Sequence, residues 1–171
     1  GRQFQAQKAA GQVEQEKKTR ELFAAYENAG GQAGTQSRIR KLKEVREKLV
    51  SGELQFGGLK KLPFGGDPNV LARLDEKTKD AVDTVLSSID IKQRTGDPNP
   101  TETQIKQIQS QAIDPRLSNE LNIKKIDREI MKELEVEENR RRQFKATGIK
   151  LLDEKNDSGS IMIKGKKVPR S

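Results

Sequence analysis

Cysteine and histidine are both absent from the 171 residues of this chain. Their absence excludes thiol nucleophiles, imidazole bases, disulfide bonds and the usual protein ligands of zinc. Tryptophan is also absent, and aromatic residues make up only 4% of the chain. Long apolar runs are missing too. No stretch approaches the roughly 18 residues that a membrane-spanning helix needs, so we predict none.

Apolar residues are scarce relative to charged ones, at 31% against 35% of the chain. Leucine, isoleucine, valine and phenylalanine number 39, about 23% of the residues, just above the roughly 20% level below which chains tend to be disordered. Ordering the backbone costs roughly 1–2 kcal/mol for each residue. We therefore expect an elongated multi-helix subunit rather than a compact globule with one core. Much of its apolar surface would be buried against partners or copies of itself.

The order of residues predicts a mainly α protein in four regions. An extended helix over 1–29 is followed by a helix with a glycine-rich docking loop over 36–66, a helical region over 67–148 and a basic tail over 149–171. The glycines of residues 30–34 predict a flexible break. Apolar residues at helical spacing predict buried faces in the second and last helices: Ile39, Leu42, Val45 and Leu49, then Ile123, Ile126, Ile130 and Leu134.

Capping signals mark several helix ends. Ser37, Asp67, Asp75 and Ser118 or Asp114 are candidate N-caps, and Thr101 with Gln104 forms a capping-box pattern. Glycines at 52, 96 and 148 predict helix ends. In the tail, Ile149 and Leu151 would pair with Ile161 and Ile163 as a short β-hairpin. A two-stranded hairpin is marginal alone, so this one would need a supporting surface.

The stretch LQFGGLKKLPFGG places two aromatics among four glycines. We predict an ordered loop, because its glycines and Pro63 disfavour a continuous helix while five apolar side chains remain available for contact. These side chains either pack on the chain's own helices or dock against a neighbouring subunit: Leu54, Phe56, Leu59, Leu62 and Phe64.

Catalytic constellations are not evident. The carboxylates of Glu133, Glu135, Glu137 and Glu138 stand among cations at pairing distance, which is typical of a solvated helix face. Ser87 and Ser88 have no imidazole to activate them. We predict that the chain is not an enzyme and has no cofactor and no small-molecule substrate.

The basic excess lies almost entirely near the carboxyl end. Of the net charge of +8, residues 140–171 supply +7, with ten Lys or Arg against three Asp or Glu. We predict that this region contacts DNA phosphates or an acidic protein surface through Arg140, Arg141, Arg142, Lys145, Lys164, Lys166, Lys167 and Arg170. Phe144 is the only aromatic there, so any DNA binding would be directed to the backbone rather than to bases.

Three segments give the chain a resemblance to the internal virion, or DNA-ejection, proteins of short-tailed bacteriophages: the Gln/Ala-rich first helix, LDEKTKDAVDTVLSSI with IKQRTGDPNPTETQIKQIQ, and IKKIDREIMKELE. The shared features are extended polar helices, glycine-rich breaks and a basic carboxyl end, rather than a specific sequence motif. It implies a structural virion component that assembles in several copies, contacts portal or tail proteins, and helps deliver the genome across the host envelope. The alternative is a cytoplasmic helical scaffold or adaptor whose basic tail binds nucleic acid without sequence specificity.

Overall fold

This computed structural model describes residues 2–57 and 75–151, with side chains from residue 9 onward. Over these residues the chain forms six helices and no strand, which confirms the mainly α prediction. The helices are α1 (Arg2–Asn28), α2 (Gly31–Ser51), α3 (Glu76–Ser87), α4 (Ile91–Thr95), α5 (Glu102–Ala112) and α6 (Asn119–Ala146). The elongated shape and the four regional boundaries stay predictions.

The corner between α1 and α2 is tighter than the predicted flexible break over residues 30–34. Gly30, with φ of +98°, and Gly31, with φ of +59°, are both left-handed at this corner, and α2 already begins at Gly31. Ser37 therefore lies inside α2, and its predicted role as an N-cap is wrong. Gly34 allows the two helices to approach, since a Cβ there would lie 2.0 Å from the carbonyl oxygen of Ala29.

The predicted apolar face of α2 is confirmed, because all four of its members are buried: Ile39, Leu42, Val45 and Leu49. The last three belong to the main apolar cluster, where they meet Val82 and Val85 of α3 and Ile126 of α6. Ile113, just after α5, completes this cluster. The core thus lies where α2, α3, α5 and α6 meet.

Local capping signals place most helix ends correctly. The side chains of Asp75, Thr101 and Ser118 each accept a hydrogen bond from a backbone N–H in the first turn of α3, α5 and α6. Thr101 and Gln104 form the predicted capping box. Left-handed glycines end α2 at Gly52 and α4 at Gly96, as predicted. The predicted N-cap at Asp67 lies outside the described residues.

A second apolar cluster joins the end of α1 to the end of α6. Phe144 is fully buried there, with its ring centroid 5.2 Å from that of Phe23 and 5.6 Å from that of Tyr26. Leu22 and Leu151 complete the cluster. The predicted hairpin would have paired Ile149 and Leu151 with residues outside the described part of the chain. Leu151 is buried in this cluster and Ile149 packs against it.

Candidate interaction site

Helices α2, α4 and α6 meet at a set of buried charges that we call the buried ion cluster: Arg38, Asp90, Arg94, Glu129 and Glu133. The Arg94 side chain is 8% exposed, and it donates to both glutamates of α6. Its Nη1 lies 2.8 Å from Glu129 Oε1, and its Nη2 lies 2.8 Å from Glu133 Oε2. The other oxygen of Glu133 accepts from Arg38 Nε at 3.1 Å and from the backbone N–H of Asp90 at 3.2 Å.

The burial of these carboxylates corrects the prediction of a solvated face. Glu133 is only 3% exposed, whereas Glu135 and Glu138 lie on the outer side of α6 as expected. The predicted apolar face of α6 is confirmed at Ile126, which is fully buried, and at Ile123 and Ile130, which pack against the main apolar cluster. It is wrong at Leu134, which is 52% exposed, whereas Glu129 is 1% exposed. Guanidinium groups from α2 and α4 donate to both oxygens of Glu133 and to Oε1 of Glu129. Oε2 of Glu129 is buried without a hydrogen-bond partner among the described residues.

The arrangement of the cluster is structural in character. Both Glu133 oxygens accept hydrogen bonds, and Glu129 Oε2 lies 4.0 Å from Lys132 Nζ. The charges hold the short helix α4 between α2 and α6, and removal of one member would leave its partner buried without compensation. Within the residues that the structure describes, no group of three or more acidic side chains is arranged to hold a metal ion.

An open groove of about 670 Å³ lies beside this cluster, at the corner of α1 and α2. We call it the corner groove. Ile89, Ile91 and Ile105 give it an apolar lining, and small residues from the end of α1 and the start of α2 form one wall. Its charged residues are three cations and one anion: Arg38, Lys41, Lys92 and Asp90. Lys41 and Lys92 are exposed and are not members of the buried ion cluster.

The three consecutive arginines at the end of α6 have different environments. Arg140 donates to the carbonyl oxygen of Gln93 in α4 from both Nε and Nη2, at 3.2 and 3.0 Å, and burial lowers the pKa of its guanidinium. Arg141 donates to the Tyr26 hydroxyl at 3.1 Å. Arg142 is 71% exposed and pairs with Glu138 one turn earlier. The structure therefore places Arg140 inside the fold, with Arg142 at the surface.

Lys145 is exposed near Arg142 on the same helix. The other predicted contact residues lie outside the described part of the chain: Lys164, Lys166, Lys167 and Arg170. Tyr26 joins α1 to this end of α6, since its hydroxyl donates to Glu137 Oε1 at 2.7 Å. Burial first, and then this hydrogen bond, raise the pKa of the Tyr26 hydroxyl, while the bond from Arg141 acts in the opposite direction.

The first two residues of the predicted docking loop pack on the chain's own helices. Leu54 is 4% exposed within the main apolar cluster, and Phe56 packs against that cluster. Asn119 of α6 fixes this stretch, because its amide nitrogen donates to the Leu54 carbonyl and its oxygen accepts from the Phe56 N–H. Leu59, Leu62 and Phe64 lie outside the described residues, so their docking role stays a prediction.

No protein-family model, curated protein or solved structure matches this chain. In the parts of the chain that the structure describes, none of the helices combines the length and the apolar character required to cross a bilayer.

Proposed function

We propose that this chain is a non-enzymatic helical subunit that functions in an assembly of several copies. The observation that carries the proposal is the state of residues 9–18 of α1, which we call the α1 arm. Every side chain of the arm is exposed, although the arm is helical throughout. Among the α1 residues from Ala9 onward, whose side chains the structure describes, the buried ones are Thr19, Leu22 and Tyr26.

An exposed helix of this composition gains little stability of its own. Its ten residues extend about 15 Å, and Gly11 at an interior position costs about 1 kcal/mol relative to alanine. Helices of this length are marginal in water without packing. Val13 is 65% exposed in the part of the chain that the structure describes. Contact with another molecule would supply the burial that the arm lacks.

The assembly that we propose is a phage particle, where the chain would serve as an internal or portal-associated ejection protein. The extended polar helices and basic carboxyl end support this placement, together with the resemblance to internal virion proteins. Other copies and portal or tail proteins are the proposed partners. The virion, and the host envelope during infection, are the proposed locations.

Circular dichroism across a concentration series tests the assembly. We expect the signal at 222 nm to increase as copies associate, because the arm gains helical order on contact. The matched control is a chain that begins at Thr19, which lacks the arm and should give a signal independent of concentration. A full-length chain that is fully helical and monomeric at every concentration would contradict the proposal.

DNA-backbone binding is a second proposed function, favoured by the exposure of Arg142 and Lys145 at the end of α6. Titration of duplex DNA at several salt concentrations tests it, because each neutralised phosphate adds about −0.9 to the slope of log K against log salt. Arg142→Ala with Lys145→Ala should flatten that slope. Arg140 is unsuitable for this test because its guanidinium binds Gln93 inside the fold. Binding that does not depend on salt would rule this function out.

A further inference from the structure

Building on the proposed assembly, we propose that two copies of this chain exchange α1. The corner between α1 and α2 straightens, and α1 of each copy packs on α4 and α6 of the other. Two features of the described residues carry this contact. The helices that hold α1 follow the corner in the chain, and the corner owes its bend to glycines.

Helix α1 is attached through residues of its later turns to helices that follow the corner. Gln93 of α4 donates from Nε2 to the Leu22 carbonyl oxygen at 2.7 Å. From α6, Gln143 Nε2 donates to Thr19 Oγ1 at 3.3 Å, and the ring of Phe144 packs on the aromatic rings of α1. A second copy offers the same groups on its own α4 and α6, so each of these contacts can form between two chains.

Three glycines bend the chain at the corner, and the bent form depends on each of them. Gly30 and Gly31 have φ of +98° and +59°, a left-handed region that residues with a Cβ disfavour. A Cβ on Gly34 would lie 2.0 Å from the carbonyl oxygen of Ala29. A continuous helix would make none of these demands, because its φ values are negative and its side chains point outward. The sequence therefore has glycine where the bend requires it.

Glycine at the corner sets the balance between the bent and the straight form. It tolerates the bend and disfavours a continuous helix, so a single chain keeps the bent form. In an exchanged pair the contacts of α1 are the same as in the single chain, and only the corner changes. A short, tightly bent connection of this kind favours domain swapping. The fraction of exchanged chains therefore depends on protein concentration and on the residues at the corner.

Reciprocal exchange gives a closed dimer. Each copy donates α1 and receives α1 through the same surfaces, so the interface is isologous and has two-fold symmetry. In each copy α1 and α2 would then form one helix from Arg2 to Ser51, about 75 Å long. This dimer is the smallest unit of the proposed assembly.

The first experiment changes the corner and measures the dimer dissociation constant by sedimentation equilibrium. In Gly30→Ala with Gly34→Ala, we expect this constant to decrease at least about a hundredfold, because alanine disfavours the bend and favours the continuous helix in both copies. Gly52→Ala is the control, since Gly52 has φ of +82° at the other end of α2, and it should leave the constant unchanged. Circular dichroism checks that each variant is folded. An unchanged or larger constant in the corner variant contradicts the exchange.

The second experiment identifies which copy supplies α1 and leaves the corner unaltered. The chain has no cysteine, so Thr19→Cys with Gln143→Cys introduces two thiols where the two side chains touch. Monomer and dimer fractions from gel filtration are treated with a short bis-maleimide and run on a denaturing gel. We expect covalent dimers from the dimer fraction and single chains from the monomer fraction. Thr19→Cys alone and Gln143→Cys alone are the controls and should give no covalent dimers.

The outcomes separate the exchange of α1 from the proposed function. A wild-type chain that stays monomeric at every concentration overturns both. A chain that associates, but whose cross-links all fall within single chains, overturns the exchange alone, since its copies then meet through another surface. Covalent dimers from the chain with both cysteines, together with tighter association of the corner variant, support the exchange.

Discussion

Replacement of Glu133 by glutamine would test the structural importance of the buried ion cluster directly. The Glu133 carboxylate accepts four hydrogen bonds: from Arg38 Nε, from Arg94 Nε and Nη2, and from the Asp90 N–H. In the variant, one of the two oxygens becomes an NH₂ group, which places a donor against donors from the arginines. The remaining charge of Arg94 would then be compensated by Glu129 alone.

The expected cost of Glu133→Gln follows from its burial. Breaking a buried ion pair by altering one partner destabilises a protein by about 3–5 kcal/mol, a large part of a total that is about 5–15 kcal/mol for folded domains. For a chain of this size, each kcal/mol corresponds to about 2–4 °C in melting temperature. We therefore expect the melting temperature to decrease by about 6–20 °C.

Urea unfolding followed by circular dichroism measures this cost, and α6 offers a matched control. Glu138→Gln makes the same chemical change five residues later, in a pair with Arg142 whose two side chains are each 71% exposed. Exposed helix pairs of this spacing contribute about 0.3–0.5 kcal/mol. If Glu133→Gln were no more destabilising than Glu138→Gln, the reasoning about buried charge would be refuted.

Three further predictions concern stability. Phe144→Ala should lower the free energy of unfolding by about 3–5 kcal/mol, because the ring is fully buried. Leu134→Ala should change it by less than about 0.5 kcal/mol, because Leu134 is exposed. Equal costs of the two variants in denaturant titrations would contradict this difference in burial. Thr101→Ala should cost about 1 kcal/mol in the same assay through loss of the capping box with Gln104, and an unchanged midpoint would argue against that cap. The folded state raises the pKa of the Tyr26 hydroxyl. The protonated hydroxyl therefore contributes fully to folding stability below the unfolded pKa near 10, and this stability is lost as pH rises above that value. Tyr26→Phe should therefore weaken the decline of stability above about pH 10, and an unaltered profile in alkaline melts would count against this account.

Features that depend on neighbouring residues in the sequence were predictable. The side chains of Asp75, Thr101 and Ser118 each accept a hydrogen bond from the backbone N–H three residues later. Each cap is therefore defined by a few consecutive residues of the sequence. The apolar face of α2 was predictable for the same reason. Its apolar residues recur every three or four positions, and that spacing can be recognised without knowing which helices pack against the face.

Features that depend on distant partners were not predictable. The burial of Glu133 requires Arg38 and Arg94, which are 95 and 39 residues away, so the sequence around Glu133 does not show which cations compensate its charge. Arg140 is one of three consecutive arginines, and the sequence does not distinguish it from Arg141 and Arg142. It donates to the Gln93 carbonyl because the fold places α4 beside it. The sequence did contain one indication of the burial of Glu133. Glu129 and Glu133 follow Ile126 by three and seven residues, which places them on the same face of α6 as that buried side chain.

Within the described residues, helix α1 packs on the end of α6 through its last turns, so a small change of angle there moves its first residues by a larger distance. Its last turns are held by Leu22 and Tyr26, while the axis continues without interruption to Arg2. A rotation of 10° about Tyr26 would displace the far end, about 36 Å away, by about 6 Å. Small adjustments in how the rings of Tyr26 and Phe23 rest on Phe144 would therefore change the direction in which the exposed part of α1 projects from the other helices.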